Sequence, residues 1–325
     1  MDKMFPGMRN QRRKAAVAML SVVSNSILIL LKVVVGLWIG SVSVISEAIH
    51  SGVDLLAALI AFFAVKTSGK PADKEHPFGH GKVENLSGTI EALLIFLAAV
   101  WIIYEAIKKL LHPKPLEAVD WGIAVMLFSA VANTVVSQML FKVGKETDSV
   151  ALQADAWHLR TDVYTSIGVT ASLCLIWIGS RVMPGTNLHW LDPAAAIVVA
   201  LLILKAAYHL TIHSARDLLD VSLPPDDEAW ITGYLSNLGK SIRGYHDIKT
   251  RKAGSEIFVE FHLMVDPDMS VEESHRIADS IELGIQEHFK DSKVTIHIEP
   301  CDSAVTPDCS QNRLPGEESR EAKKD

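Results

Sequence analysis

Cysteine is scarce in this chain. Cys174, Cys301 and Cys309 are the only three among 325 residues, and no two stand in a CxxC spacing. An odd, scattered set argues against a disulfide framework and against a thiolate zinc site. Catalytic signatures are missing too. No HExxH occurs, so an intramembrane zinc protease of that type has no support, and no GxxxxGK[ST] occurs, so ATP held in a P-loop does not drive the chain. Positive charge is in deficit, with 31 Lys and Arg against 38 Asp and Glu for a formal net charge of -7. That balance gives no support for nucleic-acid binding. A cleavable signal is lacking as well. Arg9, Arg12, Arg13 and Lys14 do precede an apolar run. That run is too long for an h-region and no small-residue cleavage site closes it.

What is present is apolar length. The hydrophobic fraction is 49% and the mean hydropathy +0.24, yet 21% of residues are charged. This mixture predicts a membrane part joined to a soluble part. Six apolar segments, 14–38, 42–66, 84–110, 119–143, 150–178 and 190–212, each come near the ~20 residues that a bilayer requires. A connection as short as Ile39–Ser41 makes the first two segments a tight hairpin. Basic residues flank the N-terminus, the second connection (Lys66, Lys70, Lys74, Lys82), the fourth (Lys142, Lys145) and the exit (Arg216). By the positive-inside rule these face the cytoplasm. Lys108, Lys109 and Lys114 dissent. Trp38, Trp101, Trp121, Trp177 and Trp190 all fall at the opposite segment ends, as one interfacial belt. The expectation is a multi-pass protein of the plasma (inner) membrane with both termini cytoplasmic. Residues 1–13 form an N-terminal cytoplasmic segment and 14–212 the transmembrane domain.

From about Ser214 the pattern changes. Pro224–Leu238 reads as a polar helix. Gly244–Lys252 and Glu256–Asp266 read as strands, the second with Ile257, Val259, Phe261, Leu263 and Val265 on one face. Val271–Phe289 reads as an amphipathic helix, with Ser270 and Glu273 as a capping box. Lys293–Pro300 is a last strand. The order αββαβ predicts a small two-layer α/β domain over 213–302. Residues 303–325, polar and rich in Pro, Ser, Glu and Lys, read as a disordered tail.

Two pairs of ionisable residues interrupt the apolar segments. SEAIHSGVD holds His50 and Asp54, and DAWHLRTD holds His158 and Asp162. Four-residue spacing stacks each pair on one helical face, and ionisable groups at membrane depth mark a functional site by default. At 1.5 Å per residue, His50 lies about 12 Å and Asp54 about 18 Å from one surface. His158 and Asp162 lie about 12 and 18 Å from the other. Antiparallel helices then level His50 with Asp162, and Asp54 with His158, near the midplane. Two imidazoles and two carboxylates suit Zn²⁺; the plainer alternative is two His–Asp hydrogen bonds that hold helices together. Each ligand must shed its proton to bind metal, and histidine titrates near neutral pH, so metal and proton movement couple. Glu47 shares the face of His50 and Asp54. Glu91 and Arg160 are buried charges, the latter expected to pair with Asp155 or to reach the inner surface. Asn25 is read as an interhelical hydrogen-bonding residue.

Two further clusters lie outside the apolar segments. PADKEHPFGHGK gathers Asp73, His76 and His80 beside Pro77 and Gly79, as a loop metal site or a solvated polar loop. In the soluble part, His246 begins one strand, His262 lies within the next, and His297 and Glu299 share a face of the last. Adjacent strands bring these together, unless they are scattered surface histidines. His275 sits on the amphipathic helix.

These motifs carry a resemblance. HSGVD, DKEHPFGHGKVE, HLRTD, RGYHDIKTRKAG, FVEFHL and VTIHIEP make the chain similar to the cation diffusion facilitator family, over about residues 10–302. Within it the chain looks most like the bacterial zinc/iron-type exporters. The resemblance implies a membrane all-α six-helix bundle plus a cytoplasmic α+β ferredoxin-like (αββαβ) domain, assembled as a homodimer that exports divalent metal against protons. It implies that His50, Asp54, His158 and Asp162 are the transport site and that Asp73, His76 and His80 are the loop site. It also implies that His246, His262, His297 and Glu299 form a cytoplasmic site, with His275 as a further ligand. Glu299 stands where similar members often have Asp, and His50 where broader-specificity members carry Asp. The second imidazole favours Zn²⁺ over harder Mn²⁺, with Fe²⁺, Co²⁺ and Cd²⁺ as alternatives. Two other readings compete. A membrane metal sensor needs only the soluble cluster, not both midplane pairs. An intramembrane hydrolase needs an open metal position, which four protein ligands do not leave.

Overall fold

The computed structural model describes residues 6–39, 42–111, 120–182, 190–239 and 242–301. The chain divides into two compact units, Met1–Leu218 and Leu219–Asp325. The first contains six long helices: α1 (Pro6–Ile39), α2 (Val42–Ser68), α3 (Lys82–Leu111), α4 (Asp120–Glu146), α5 (Val150–Val182) and α6 (Leu191–Leu218). Five of them are long and apolar enough to cross a membrane over their described residues, namely α1, α2, α3, α4 and α6. The sequence reading expected six crossing segments. α5 is not among the five, because Asp155, Arg160 and Asp162 bring three charges into its described part. The protein is a multi-pass membrane protein on those five.

The unit is packed inside out relative to a soluble bundle. Large apolar side chains such as Leu30, Leu37, Phe63, Leu97, Trp101 and Leu202 point outward, while alanines fill the interior: Ala57, Ala58 and Ala61 on α2, Ala92 and Ala99 on α3, Ala154 and Ala156 on α5. Hydrocarbon supplies no drive to bury leucine, so helices in lipid associate through small residues that let backbones approach. Gly88 on α3 is an extreme case. A Cβ there would lie 2.7 Å from Ser214 Oγ on α6 and 2.8 Å from Val150 Cγ1 on α5. Of the interfacial tryptophans, Trp38, Trp101 and Trp190 are exposed. The side chains of Trp121 and Trp177 lie outside the described set.

One end of the bundle is tied by a buried carboxylate. Glu84, in the first turn of α3, is 1% exposed. It pairs with Lys14 of α1 at 3.2 Å, accepts a hydrogen bond from Ser68 of α2 at 2.7 Å, and accepts another from Ser149 just before α5. Beside it, Arg13 meets Glu146 at 2.6 Å. α1 starts at Pro6, ahead of the apolar run that begins at residue 14, and Arg13 and Lys14 at that junction both have acidic partners. The sequence reading had set 1–13 apart as a segment of its own. Proline in a first helical turn costs no hydrogen bond.

The second unit contains α7 (Pro225–Ser236), β1 (Gly244–Ala253), β2 (Glu256–Val265), α8 (Val271–His288) and β3 (Ser292–Pro300), the αββαβ order expected. The sheet order is β1-β2-β3, with β1 antiparallel and β3 parallel to β2. Gly254, at φ +61°, makes the tight β1–β2 turn. A parallel neighbour requires a crossover, which α8 provides. Ser270 caps α8 by accepting from the Glu273 backbone N–H at 3.2 Å. Val259, Phe261 and Leu263 pack with Ile231 and Leu235 of α7 and Ile281 and Ile285 of α8. The opposite face of β2 is also covered: Phe258 lies beneath the Arg251 guanidinium, 4.0 Å from its ring centre. Cys301 is held in a disulfide, so scarce cysteine does not exclude a single bridge; the partner side chain lies outside the described ones. The tail predicted for 303–325 also lies outside them.

The buried Lys14–Glu84 pair gives a stability prediction. Glu84→Ala removes the carboxylate that pairs with the buried Lys14 and accepts from Ser68 and Ser149, and is expected to destabilise the membrane unit by about 3–5 kcal/mol. Thermal unfolding of the detergent-solubilised chain measures this. An unchanged midpoint would show that the network carries no stability.

Candidate metal centres

The first centre lies between α2 and α5. Each helix presents its His and Asp one turn apart on a single face. Asp54 Oδ1 is 3.2 Å from His158 Nε2, and His50 Nε2 is 3.9 Å from Asp162 Oδ1. The crossed pairing is the one that the depth arithmetic requires. Ligand atoms of His50, Asp54 and Asp162 all lie within 4.8 Å of one another. Asp54 and His158 are buried, whereas the His50 side chain is 54% exposed, so the cluster opens on the His50 side. Chemically the four groups offer two nitrogens and two carboxylates, and a metal entering there would replace two His–Asp contacts with four bonds.

The surroundings hold residues that sequence reasoning passed over. Lys32 of α1, with Ser129 and Asn133 of α4, lines the same cavity as His50, Asp54 and Asp162. The only sequence signal for Lys32 was a lone cation inside an apolar run. Asp155, one turn before His158, is fully buried, with Ser21 as its hydroxyl neighbour. Glu91 is equally buried and accepts from Ser87 at 3.1 Å. Asn25 is buried, but its Nδ2 finds no hydrogen-bond partner among the described residues. Arg160 does not pair with Asp155; its guanidinium stacks 4.1 Å from the ring centre of Phe141 on α4. The Glu47 side chain lies outside the described set.

The second centre is the loop between α2 and α3. Asp73 Oδ1 accepts from the backbone N–H groups of Glu75 at 2.9 Å and His76 at 2.7 Å, the geometry of an Asx turn. Its Oδ2 is 3.4 Å from His80 Nε2, and Oδ1 is 3.5 Å from His76 Nδ1. Gly79 takes φ +92°, which only glycine adopts readily. His80 is buried and its Nδ1 has no hydrogen-bond partner among the described residues. The backbone N–H of His76, opposed by burial, holds the Asp73 carboxyl below its ordinary value, aided by Glu75 and the imidazoles. A depressed pKa contributes stability above the ordinary value of ~3.9. That contribution is lost as pH falls through the folded value.

The third centre is built on the sheet. His246 faces His262 across β1–β2, and His262 faces His297 across β2–β3. Glu299 gathers all three: Oε2 is 3.0 Å from His246 Nε2, while Oε1 is 2.9 Å from His262 Nδ1 and 3.4 Å from His297 Nε2. Burial pushes the Glu299 carboxyl up, but the His246 hydrogen bond and the neighbouring imidazoles outweigh it and hold the group below its ordinary value. Asp247 joins from an unforeseen direction, its Oδ2 3.7 Å from His262 Nε2. Strict alternation puts Asp247 on the face opposite His246, but the register shifts between His246 and Lys249 and Asp247 takes φ +51°. Such a bulge re-aims a side chain. His275 is not in this group; on α8 its Nε2 is 3.7 Å from Asp279.

Residues 18–219 match the family model of the cation efflux transmembrane domain, and 223–301 that of the cation efflux protein cytoplasmic domain. An uncharacterized transporter of Synechocystis sp. is 39% identical over 80% of this chain and 82% of its own. The cation-efflux pump FieF of Klebsiella pneumoniae is 32% identical over 92% of this chain and 95% of its own. The metal-bound C-terminal domain of the CzcD transporter from Thermotoga maritima is 29% identical over 23% of this chain and 87% of its own, at a TM-score of 0.22.

For the sheet cluster, Glu299→Gln is expected to weaken Zn²⁺ binding about tenfold to hundredfold, because the carboxylate both donates charge and orients the rings. Binding is also expected to weaken as pH falls, because protons compete with the metal for its ligands. Equilibrium dialysis of the full chain against buffered free Zn²⁺ checks both; equal metal per chain in variant and wild type at every concentration removes Glu299 from the site.

Proposed function

The chain belongs to the cation efflux family, and on that premise we propose that it is a proton-coupled antiporter that exports a divalent metal, Zn²⁺ first among the candidates, from the cytoplasm. The observation that carries this reading is the crossed pairing of His50 with Asp162 and of Asp54 with His158 inside a membrane unit. Ionisable groups are costly at that depth, and an ion pathway is the usual reason for them. In the proposal α5 is a sixth crossing helix, despite its charges, because its polar face is turned to the site and away from lipid. Both termini and the sheet unit are cytoplasmic, the sheet unit adopts a ferredoxin-like arrangement, and two chains assemble as a homodimer in the inner (plasma) membrane.

The chemistry follows from the ligands. Metal from the cytoplasm displaces protons from the imidazoles, because only the neutral ring binds. Where the site meets the more acidic side, protons return to His50 and His158 and expel the metal. Asp54 and Asp162 keep the site attractive to a dication and exclude anions. Two nitrogens favour Zn²⁺ over Mn²⁺, with Fe²⁺, Co²⁺ and Cd²⁺ as alternatives. The loop centre and the sheet centre are proposed as metal-holding sites that do not themselves move metal across the membrane. His275 is proposed only as an additional ligand at the sheet centre.

Two measurements test the reading. In proteoliposomes, Zn²⁺ flux is expected to follow an imposed pH gradient and to vanish in Asp162→Ala; flux indifferent to the gradient sinks the coupling. His50→Asp, which trades a nitrogen for a carboxylate, is expected to shift selection toward Cd²⁺ or Fe²⁺ in competition transport. An unchanged metal profile removes His50 as the residue that sets it.

A further inference from the structure

Lys32 is the residue of the membrane unit that a metal-transporting cavity has least obvious use for. Its neighbours on α1, Val33 and Val34, are exposed, yet Lys32 is turned inward and is 6% exposed. Its Nζ donates to Ser51 Oγ at 2.7 Å, and Ser51, itself buried, is the residue after His50. A lysine in an apolar helix ordinarily extends its stem to bring the ammonium to water. This one lines the cavity that holds His50, Asp54, Asn133 and Asp162, with its ammonium on Ser51. A buried charge persists where opposite charge and hydrogen bonds offset it. Among the residues lining that cavity, the opposite charges are Asp54 and Asp162, the same carboxylates that face an incoming metal.

We propose that Lys32 is a tethered competitor of the transported cation, a proposal that rests on the transport reading above. With both imidazoles neutral, two carboxylates and one ammonium leave a single negative charge before metal arrives and a single positive charge once a dication is bound. The ammonium therefore does two things. It keeps the empty site from carrying two unbalanced carboxylates, and it repels the bound metal so that the ion is held loosely enough to leave. Ser51 anchors the ammonium within range of the carboxylates while keeping it off the metal position. Arginine would serve similarly as a charge; a neutral side chain would not.

Zn²⁺ flux against concentration in proteoliposomes, with the full chain, tests this. Lys32→Gln and Lys32→Met are each expected to lower KM about tenfold, from loss of a charge close to a dication at low dielectric. kcat falls with it because release slows. Lys32→Arg is expected to keep both constants near wild type. A merely structural lysine would lower kcat without lowering KM. An unchanged or raised KM in both neutral variants overturns the proposal, as does an arginine variant that behaves like glutamine. If neither neutral variant inserts, Ser51→Ala decides: the unanchored ammonium moves onto the carboxylates and raises KM, and no change in KM overturns the idea. Asp54→Ala in the same vesicles separates the two levels: flux that survives it defeats the transport reading itself, whatever Lys32 does.

Discussion

A charge in a low-dielectric slab must be balanced close at hand, and this constraint shapes the membrane unit more than any other. Glu84 is balanced by Lys14 and two serine hydroxyls, and the result joins three helices and the start of a fourth at one end. Asp54 is satisfied by His158, and Asp162 faces His50. The same requirement has opposite outcomes in the two places. At Glu84 the partners are an ammonium and two hydroxyls, and the contact joins helices. At the His50–Asp162 and Asp54–His158 contacts the partners are imidazole rings, which in the proposed antiport exchange a proton for a metal without leaving the protein. Packing supports both: alanines along α2, α3 and α5 bring the backbones close enough for short side chains to meet.

Much of this was legible in the sequence because it depends on periodicity alone. The rise per residue and the four-residue spacing of His50, Asp54, His158 and Asp162 suffice to say which group levels with which. Period-two alternation located β2, and Ser270 marked the start of α8. Other features depend on where a side chain turns, which periodicity does not carry. Lys32 reads as an oddity in an apolar run until its hydrogen bond to Ser51 shows that it faces inward. Asp247 is hidden by a bulge that breaks the rule used to find its neighbours. Arg160 has carboxylates nearby in sequence but stacks on Phe141, a residue of another helix. The apolar run marks what lipid requires, whereas the helix that carries it begins earlier, at Pro6.

The sheet centre shows how register creates a site from residues far apart in the chain. His246, His262 and His297 occupy one row across three strands only because β1 runs antiparallel and β3 parallel to β2. A one-residue slip of either neighbour would move its histidine to the opposite face. Phe261 and Leu263, packed beneath the row, resist that slip. The hydrophobic core therefore guards the polar cluster without touching it.

The Asx turn at Asp73 has a consequence for how fast the loop can respond. One carboxylate oxygen already holds the backbone of Glu75 and His76, while the other faces His80. At the proposed loop site the chain is thus shaped before an ion arrives, and capture would demand little further ordering. A preorganised site spends its interaction energy on affinity rather than on folding. Because one side chain both shapes the turn and faces His80, protonating Asp73 loosens the turn and withdraws a carboxylate from the proposed loop site in one step.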